Sequence, residues 1–173
     1  MKTKRLQLRE RTKILYERII QQTSEKQLIF FGVKTIDELD AALAQSKKLF
    51  VDNRFDFRLW DIIEKSSDDV IGHCGFHHWE KRYNRAELGY FLNETARNKG
   101  YMKEAIQALI NFGFENMDLN RIEAFIAPQN SPSIGVVKHL KFTKEGLLRE
   151  HHKINGQFYD SFVFRLLKSE YET

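Results

Sequence analysis

The stretch Arg97-Asn98-Lys99-Gly100-Tyr101-Met102 gathers the residue types that hold an anion. Arg97 and Lys99 supply positive charge, and Gly100 lets a backbone come close to a ligand. Downstream, Met102, Ile106, Leu109 and Gly113 recur at helical spacing, with Ala105 and Phe112 beside them. Upstream, residues 86–92 form a short apolar run with two aromatics, bounded by polar residues, and this pattern predicts a buried strand. The six residues are therefore a strand-to-helix turn whose N–H groups lie at the positive end of a helix dipole. A bound charge gains roughly 0.3–1 kcal/mol from the dipole alone. A solvated basic turn is the plainer alternative. The G-x-x-x-x-G-K-[ST] phosphate loop and the G-x-G-x-x-G dinucleotide turn are both absent.

A second group of residue types invites metal chemistry. His73, Cys74, His77 and His78 lie close together in the sequence. In a strand, however, adjacent residues face opposite sides of the sheet, so a tetrahedral zinc site would need ligands from elsewhere. No metal is expected. Residues 80–85, rich in basic side chains, read as a solvated turn, with the steering of an acidic acceptor as the alternative.

The surrounding elements follow from periodicity and punctuation. Residues 4–9 alternate as a half-buried first strand, and a weakly periodic helix is predicted from about Thr12 to Ser24. Residues 28–32 are an apolar patch ending in a glycine, suited to packing or to lining a pocket. Thr35 and Glu38 make a capping box for a helix running to about Asp52. Strands follow over residues 57–63 and 70–79, and Gly72 and Gly75 in the latter predict a bulge or a close backbone contact. A strand over residues 121–126 precedes a loop opening a short helix, with Ser131 as N-cap and Pro132 at the first helical position. An Asn155-Gly156 turn closes a hairpin of residues 142–154 and 158–167.

Composition agrees with one soluble domain over residues 1–173. The chain is 42% hydrophobic, 13% aromatic and 30% charged, with a formal net charge of +4. That mild basicity suits an anionic cofactor, and no nucleic-acid motif accompanies it. The single cysteine excludes an intramolecular disulfide. No apolar run approaches the roughly 18 residues of a membrane span, and no apolar segment follows the basic N-terminus. A cytoplasmic protein, with neither membrane nor nucleic acid as a partner, is expected; oligomeric state is left open.

Taken in order, these motifs resemble the GNAT acetyltransferases. Arg97 and Gly100 match that family's [QR]-x-x-G-x-[GA] pyrophosphate loop, with Met102 where the pattern has Gly or Ala. The opening Arg5-Leu6-x-Leu8-Arg9 resembles the branch that includes ribosomal-protein N-terminal (serine/alanine) acetyltransferases. So do Ala86-Glu87-Leu88-Gly89-Tyr90, Asn130-Ser131-Pro132-Ser133, and Asn155-Gly156 followed by Asp160.

The resemblance implies an α/β fold: a mixed sheet of about seven strands, splayed at the centre between residues 86–92 and 121–126, with about four helices. Acetyl-coenzyme A would enter the splay against Phe91, Leu92, the loop Arg97, Asn98, Lys99, Gly100, Tyr101 and Met102, and Asn130. The acceptor would be a primary amine: a peptide or ribosomal-protein N-terminus, an amino acid, a polyamine or a drug amine. Transfer would be direct, with an N–H donor for the developing oxyanion. Glu87 is the leading base, with an ion pair to Arg85 or Arg121 as its structural alternative. Ser133 is the leading acid, since Val137 stands where many members have tyrosine; ordinary helix-start bonding is the alternative. His151 and His152 would lie on a strand facing the acceptor, and His152 completes the candidate catalytic set. Met102, Val137 and Lys141, which replaces a glycine, also admit a coenzyme A-binding module without chemistry.

Overall fold

The computed structural model describes residues 1–47 and 56–171. Seven strands form one sheet: β1 (Leu6–Arg11), β2 (Arg58–Glu64), β3 (Val70–Glu80), β4 (Arg85–Leu92), β5 (Arg121–Ile126), β6 (Thr143–Ile154) and β7 (Gln157–Leu167). Their order is β1-β2-β3-β4-β5-β7-β6. Neighbours are antiparallel except β4 and β5, which run parallel. That pair is in register only over Arg85↔Arg121, Ala86↔Ile122 and Glu87↔Glu123. Beyond Glu87 the two strands part, which is the splay expected.

The helices are α1 (Lys13–Ile19), α2 (Ser24–Phe31), α3 (Ile36–Lys47), α4 (Tyr101–Asn116), α5 (Ser131–His139) and α6 (Lys168–Tyr171). Alternation along the strands sends Leu6, Leu8, Trp60, Ile62, Cys74, Phe76, Ala86, Leu88, Ile122 and Ala124 to one face, where they meet Ala105, Ile106, Leu109 and Ile110 of α4. Tyr16, Phe30, Phe31 and Leu39 make a separate cluster among α1–α3. The Thr35–Glu38 capping box forms as expected, Glu38 accepting from the Thr35 amide and the Glu38 amide donating to Thr35 Oγ1. The expected end of that helix, near Asp52, lies outside the described residues.

Three expectations are corrected. The helix expected from Thr12 to Ser24 stops at Ile19 and a separate α2 starts at Ser24, the buried Gln27 of α2 donating to the Ile19, Ile20 and Gln22 carbonyls and so satisfying the end of α1. That break, with the added turn α6, raises the expected four helices to six. The patch at residues 28–32, by contrast, packs as expected, with Phe30 and Phe31 in the cluster among α1–α3 and Gly32 ending α2 in the left-handed region. Asn130, not Ser131, caps α5: its Oδ1 accepts the Ser133 amide at 3.2 Å. At Gly72 a side chain is sterically excluded, since a Cβ would lie 2.2 Å from the Phe91 carbonyl of β4.

Candidate active site

The gap between β4 and β5 begins at Glu87. From Leu88 to Leu92 every second residue of β4 directs its backbone groups into the gap, where no strand of the sheet pairs with them. At the far end, Arg97 Nε donates to the Leu92 carbonyl at 3.1 Å, tying the strand-to-helix turn to the strand. Phe91, 46% exposed, stacks on His73 with ring centroids 5.5 Å apart.

The turn has the geometry that its sequence suggests. Asn98 and Gly100 are both left-handed, with φ of 62° and 78°. The first helical bond runs from the Glu104 amide to the Gly100 carbonyl, so the amides before Glu104 have no acceptor within α4. Tyr101 and Met102 offer only those amides. Their side chains are buried, Tyr101 donating its hydroxyl to Glu64 and Met102 packing in the main core. The residue that departs from the glycine pattern thus leaves the turn open. Arg5 braces the turn from outside: Nη1 donates to the Lys99 carbonyl (2.8 Å), Nε to Glu104 (2.7 Å), and the guanidinium lies over the Tyr101 ring. Sequence reasoning placed Arg5 in a family motif but not at this turn. Lys99 is exposed and Arg97 half-exposed.

Across the gap, α5 presents Ser133 and Asn130. The Asn130 amide oxygen is committed to capping, and the Ser133 carbonyl accepts from the Tyr90 hydroxyl at 3.3 Å. Tyr90 therefore bridges β4 and α5 over the gap, and burial holds its phenol above the usual range. Its position between two glycine-marked segments carried no chemical signal in the sequence. Val137 is fully buried in the core.

Glu87 lies on the opposite face of the sheet from α4 and pairs with neither arginine proposed for it. Arg85 binds Glu80, and Arg121 binds Glu123 and Glu145. Glu87 instead meets His78 Nδ1 at 2.9 Å. His77 stands directly across from Glu87 in the β3–β4 register; burial pushes its pKa down while Glu87 pulls it up. His151 rests on Phe125 of β5 with centroids 4.8 Å apart, and the exposed His152 lies behind it at 4.1 Å. Burial and His152 hold His151 below the usual imidazole range, and Glu87 again opposes them. Cys74 is inert by contrast: burial, then the Asp61 carboxylate, push its thiol up to about 12.

The parallel seam opens between the strand-to-helix turn and the carboxylate–histidine cluster. Residues 5–143 match the family described as "Acetyltransferase (GNAT) domain", and the chain belongs to that family. It is 47% identical over 119 residues to the uncharacterized N-acetyltransferase p20 of Bacillus licheniformis, an alignment covering 69% of this chain and 64% of p20. It is 31% identical over 113 residues to the [Ribosomal protein uS5]-alanine N-acetyltransferase of Escherichia coli, covering 65% of this chain and 57% of that one. The chain thus aligns with less than two thirds of either relative. The crystal structure of an acetyltransferase (GNAT family) from Bacillus anthracis superposes with TM-score 0.71 at 25% identity, over 98% of this chain and 99% of that one.

Proposed function

We propose that this protein transfers an acetyl group from acetyl-coenzyme A directly to a primary amine, and that its acceptor is the free N-terminus of a protein or peptide, of the kind ribosomal proteins present. The observation that carries the reading is the gap past Glu87↔Glu123, with an anion-binding turn at one end and an acidic cluster at the other. The Arg97–Met102 amides would hold the pyrophosphate, the open edge at Phe91 and Leu92 the thioester arm, and one β4 amide the oxyanion. A single such donor is worth about 3–4 kcal/mol. Asn130 would reach the same arm only from its capping position. Bound there, acetyl-coenzyme A supplies the activated acetyl group.

The chain's residues manage the protons. Glu87, fixed by His78, draws in the ammonium form of the acceptor and takes its first proton through water. His151 and His152 stand beside the route by which the nitrogen loses its second. Ser133 returns a proton to the leaving thiolate, a modest task because a free thiol has a pKa of roughly 8.5. No metal takes part. The setting proposed is the cytoplasm, with no membrane or nucleic acid as partner; no described helix is long and apolar enough to cross a membrane.

The acceptor follows from the weakness of this proton machinery. A free α-amine has a pKa of roughly 7.7–8.0 and lysine about 10.4, so at neutral pH only the former is appreciably unprotonated. The uS5-alanine relative, by its name, acts on such an amine. The test is a matched pair of peptides, one with a free N-terminus and no lysine, the other N-acetylated with an internal lysine. The free N-terminus should be the better acceptor. Preference for the blocked peptide overturns the acceptor, and activity on neither moves the acceptor to a small-molecule amine. No release of thiol with any amine of an acceptor panel leaves only a binding module.

A further inference from the structure

Strand alternation places His151 and His152 on opposite sides of β6, but the hairpin does not alternate there. Leu148 pairs with Ser161 and His152 with Tyr159, so Arg149, Glu150 and His151 together face Asp160 alone. The extra residues form a bulge held at three points. Glu150 is left-handed with φ of 52°, its amide donates to Asp160 Oδ1 at 2.8 Å, and Arg149 binds Asp160 Oδ2 at 2.9 Å. Bulges re-aim side chains next to active sites. This one lays His151 on the ring of Phe125. Phe125 is two residues beyond Glu123, on the face that Glu87 shares, at the level where β4 has left β5.

Among the described residues, three buried side-chain polar atoms have no hydrogen-bond partner: Trp79 Nε1, His151 Nδ1 and Ser161 Oγ. Two of the three flank this bulge. Buried polar atoms are ordinarily satisfied, and an orphaned His151 Nδ1 on the ring of Phe125, beside the open gap, marks a place where a ligand completes the bonding. The orphaned nitrogen, Nδ1, is the one left for that ligand.

We propose that His151, swung onto the acceptor face by the β6 bulge, is the catalytic base that takes the second proton of the amine. The inference rests on the amine-acetylating reading above. As the nitrogen–carbon bond forms and the carbon–sulfur bond breaks, the electron pair leaves with sulfur. The nitrogen is then positively charged; its proton passes to His151 Nδ1, and the imidazolium formed gives one up to water. The charged groups around His151 suit this. Glu87 on β4 favours the imidazolium, and His152 opposes it. On β5 Glu123 is committed to Arg121, and on β7 Asp160 to Arg149, beside Tyr159. His77 and His78 on β3 act on Glu87 rather than on His151.

The experiment is the pH dependence of kcat/KM from pH 5 to 8 with a free-N-terminus peptide. The wild-type log plot should rise with slope two while both the amine and His151 are protonated. The slope should fall to one above the His151 ionisation, below the 6.5 of free imidazole. His151→Gln should lower kcat/KM at pH 7 by roughly a hundredfold, the low end of general-base assistance. It should also leave slope one throughout, and added imidazole should restore turnover to His151→Ala. A merely structural role lowers the whole curve without removing the break. A wild type with slope one throughout overturns the inference even if the variants fail to fold. So does a break that survives His151→Gln, or one that disappears only in His152→Gln. Acetylation that proceeds without the break sinks this inference alone; no acetylation of any amine sinks the proposed function with it.

Discussion

His73 shows how far a residue's chemistry depends on neighbours distant in the chain. Burial, and then the Arg11 guanidinium, push its pKa down to about 4, with Asp61 opposing. Unfolded, the same ring titrates near 6.5. Between those values the unfolded chain binds more protons than the folded one, so the stability present above pH 6.5 is lost as pH falls towards 4. At pH 5 the loss is about 2 kcal/mol. Urea unfolding at pH 7 and pH 5 should show it, and His73→Phe, which keeps the stack on Phe91, should show less. An unchanged difference would free His73 of the role. None of this was legible locally, because Arg11, Asp61 and His73 lie on three strands. The same holds for Glu87: its spacing suggested a base or an arginine pair, and its partner is a histidine placed by β3. His151 and His152 were legible as types, but the alternation rule fails inside a bulge that no glycine or proline announces.

The end of α5 is an element in which a lysine stands where the family resemblance has glycine, and the backbone still turns left-handed. The Phe142 amide donates to the Val137 carbonyl and the Lys141 amide to that of Lys138, closing the helix with Lys141 left-handed at φ 64°. Val137 and Phe142 meet in the core, so the closure is kept by packing. A side chain in that conformation costs roughly 1–2 kcal/mol. Lys141→Gly should therefore stabilise the protein by about 0.5–1 kcal/mol after the added freedom of the unfolded glycine is counted. A thermal melt would read this as a rise of about 1–4 °C; no rise would mean that the lysine stem recovers the strain. The Arg97–Met102 turn obeys the opposite logic. A Cβ at Gly100 meets only Arg5 Nη2, at 3.5 Å, so Gly100→Asp fails through charge and backbone strain rather than collision. Calorimetry should find acetyl-coenzyme A binding weakened at least about tenfold, the cost of roughly 1.4 kcal/mol. Unchanged affinity in a folded variant removes the turn from the site. Strands, the turn and the capping box were legible because each is a local pattern. The break between α1 and α2 was not, because a side chain eight residues on closes it.

At the scale of the whole molecule, the sheet order and its splay were implied by the sequence only through family resemblance, since register is a long-range property. The structure adds that the division in the sheet is also a division in the chain. Strands β1 to β4 lie within residues 6–92 and β5 to β7 within residues 121–167, and no strand returns across the seam. The halves share three residue pairs of sheet, the crossover that contains α4, one core cluster and the bond from the Tyr90 hydroxyl to the Ser133 carbonyl across the gap. Mechanically, these are two plates welded at one corner and cross-tied by α4, by a shared core and by the Tyr90–Ser133 bond. The width of the gap is thus set by how those ties hold the two plates, rather than by pairing within the sheet. A substitution on α4, far from any reacting atom, can change catalysis by altering how the plates are set.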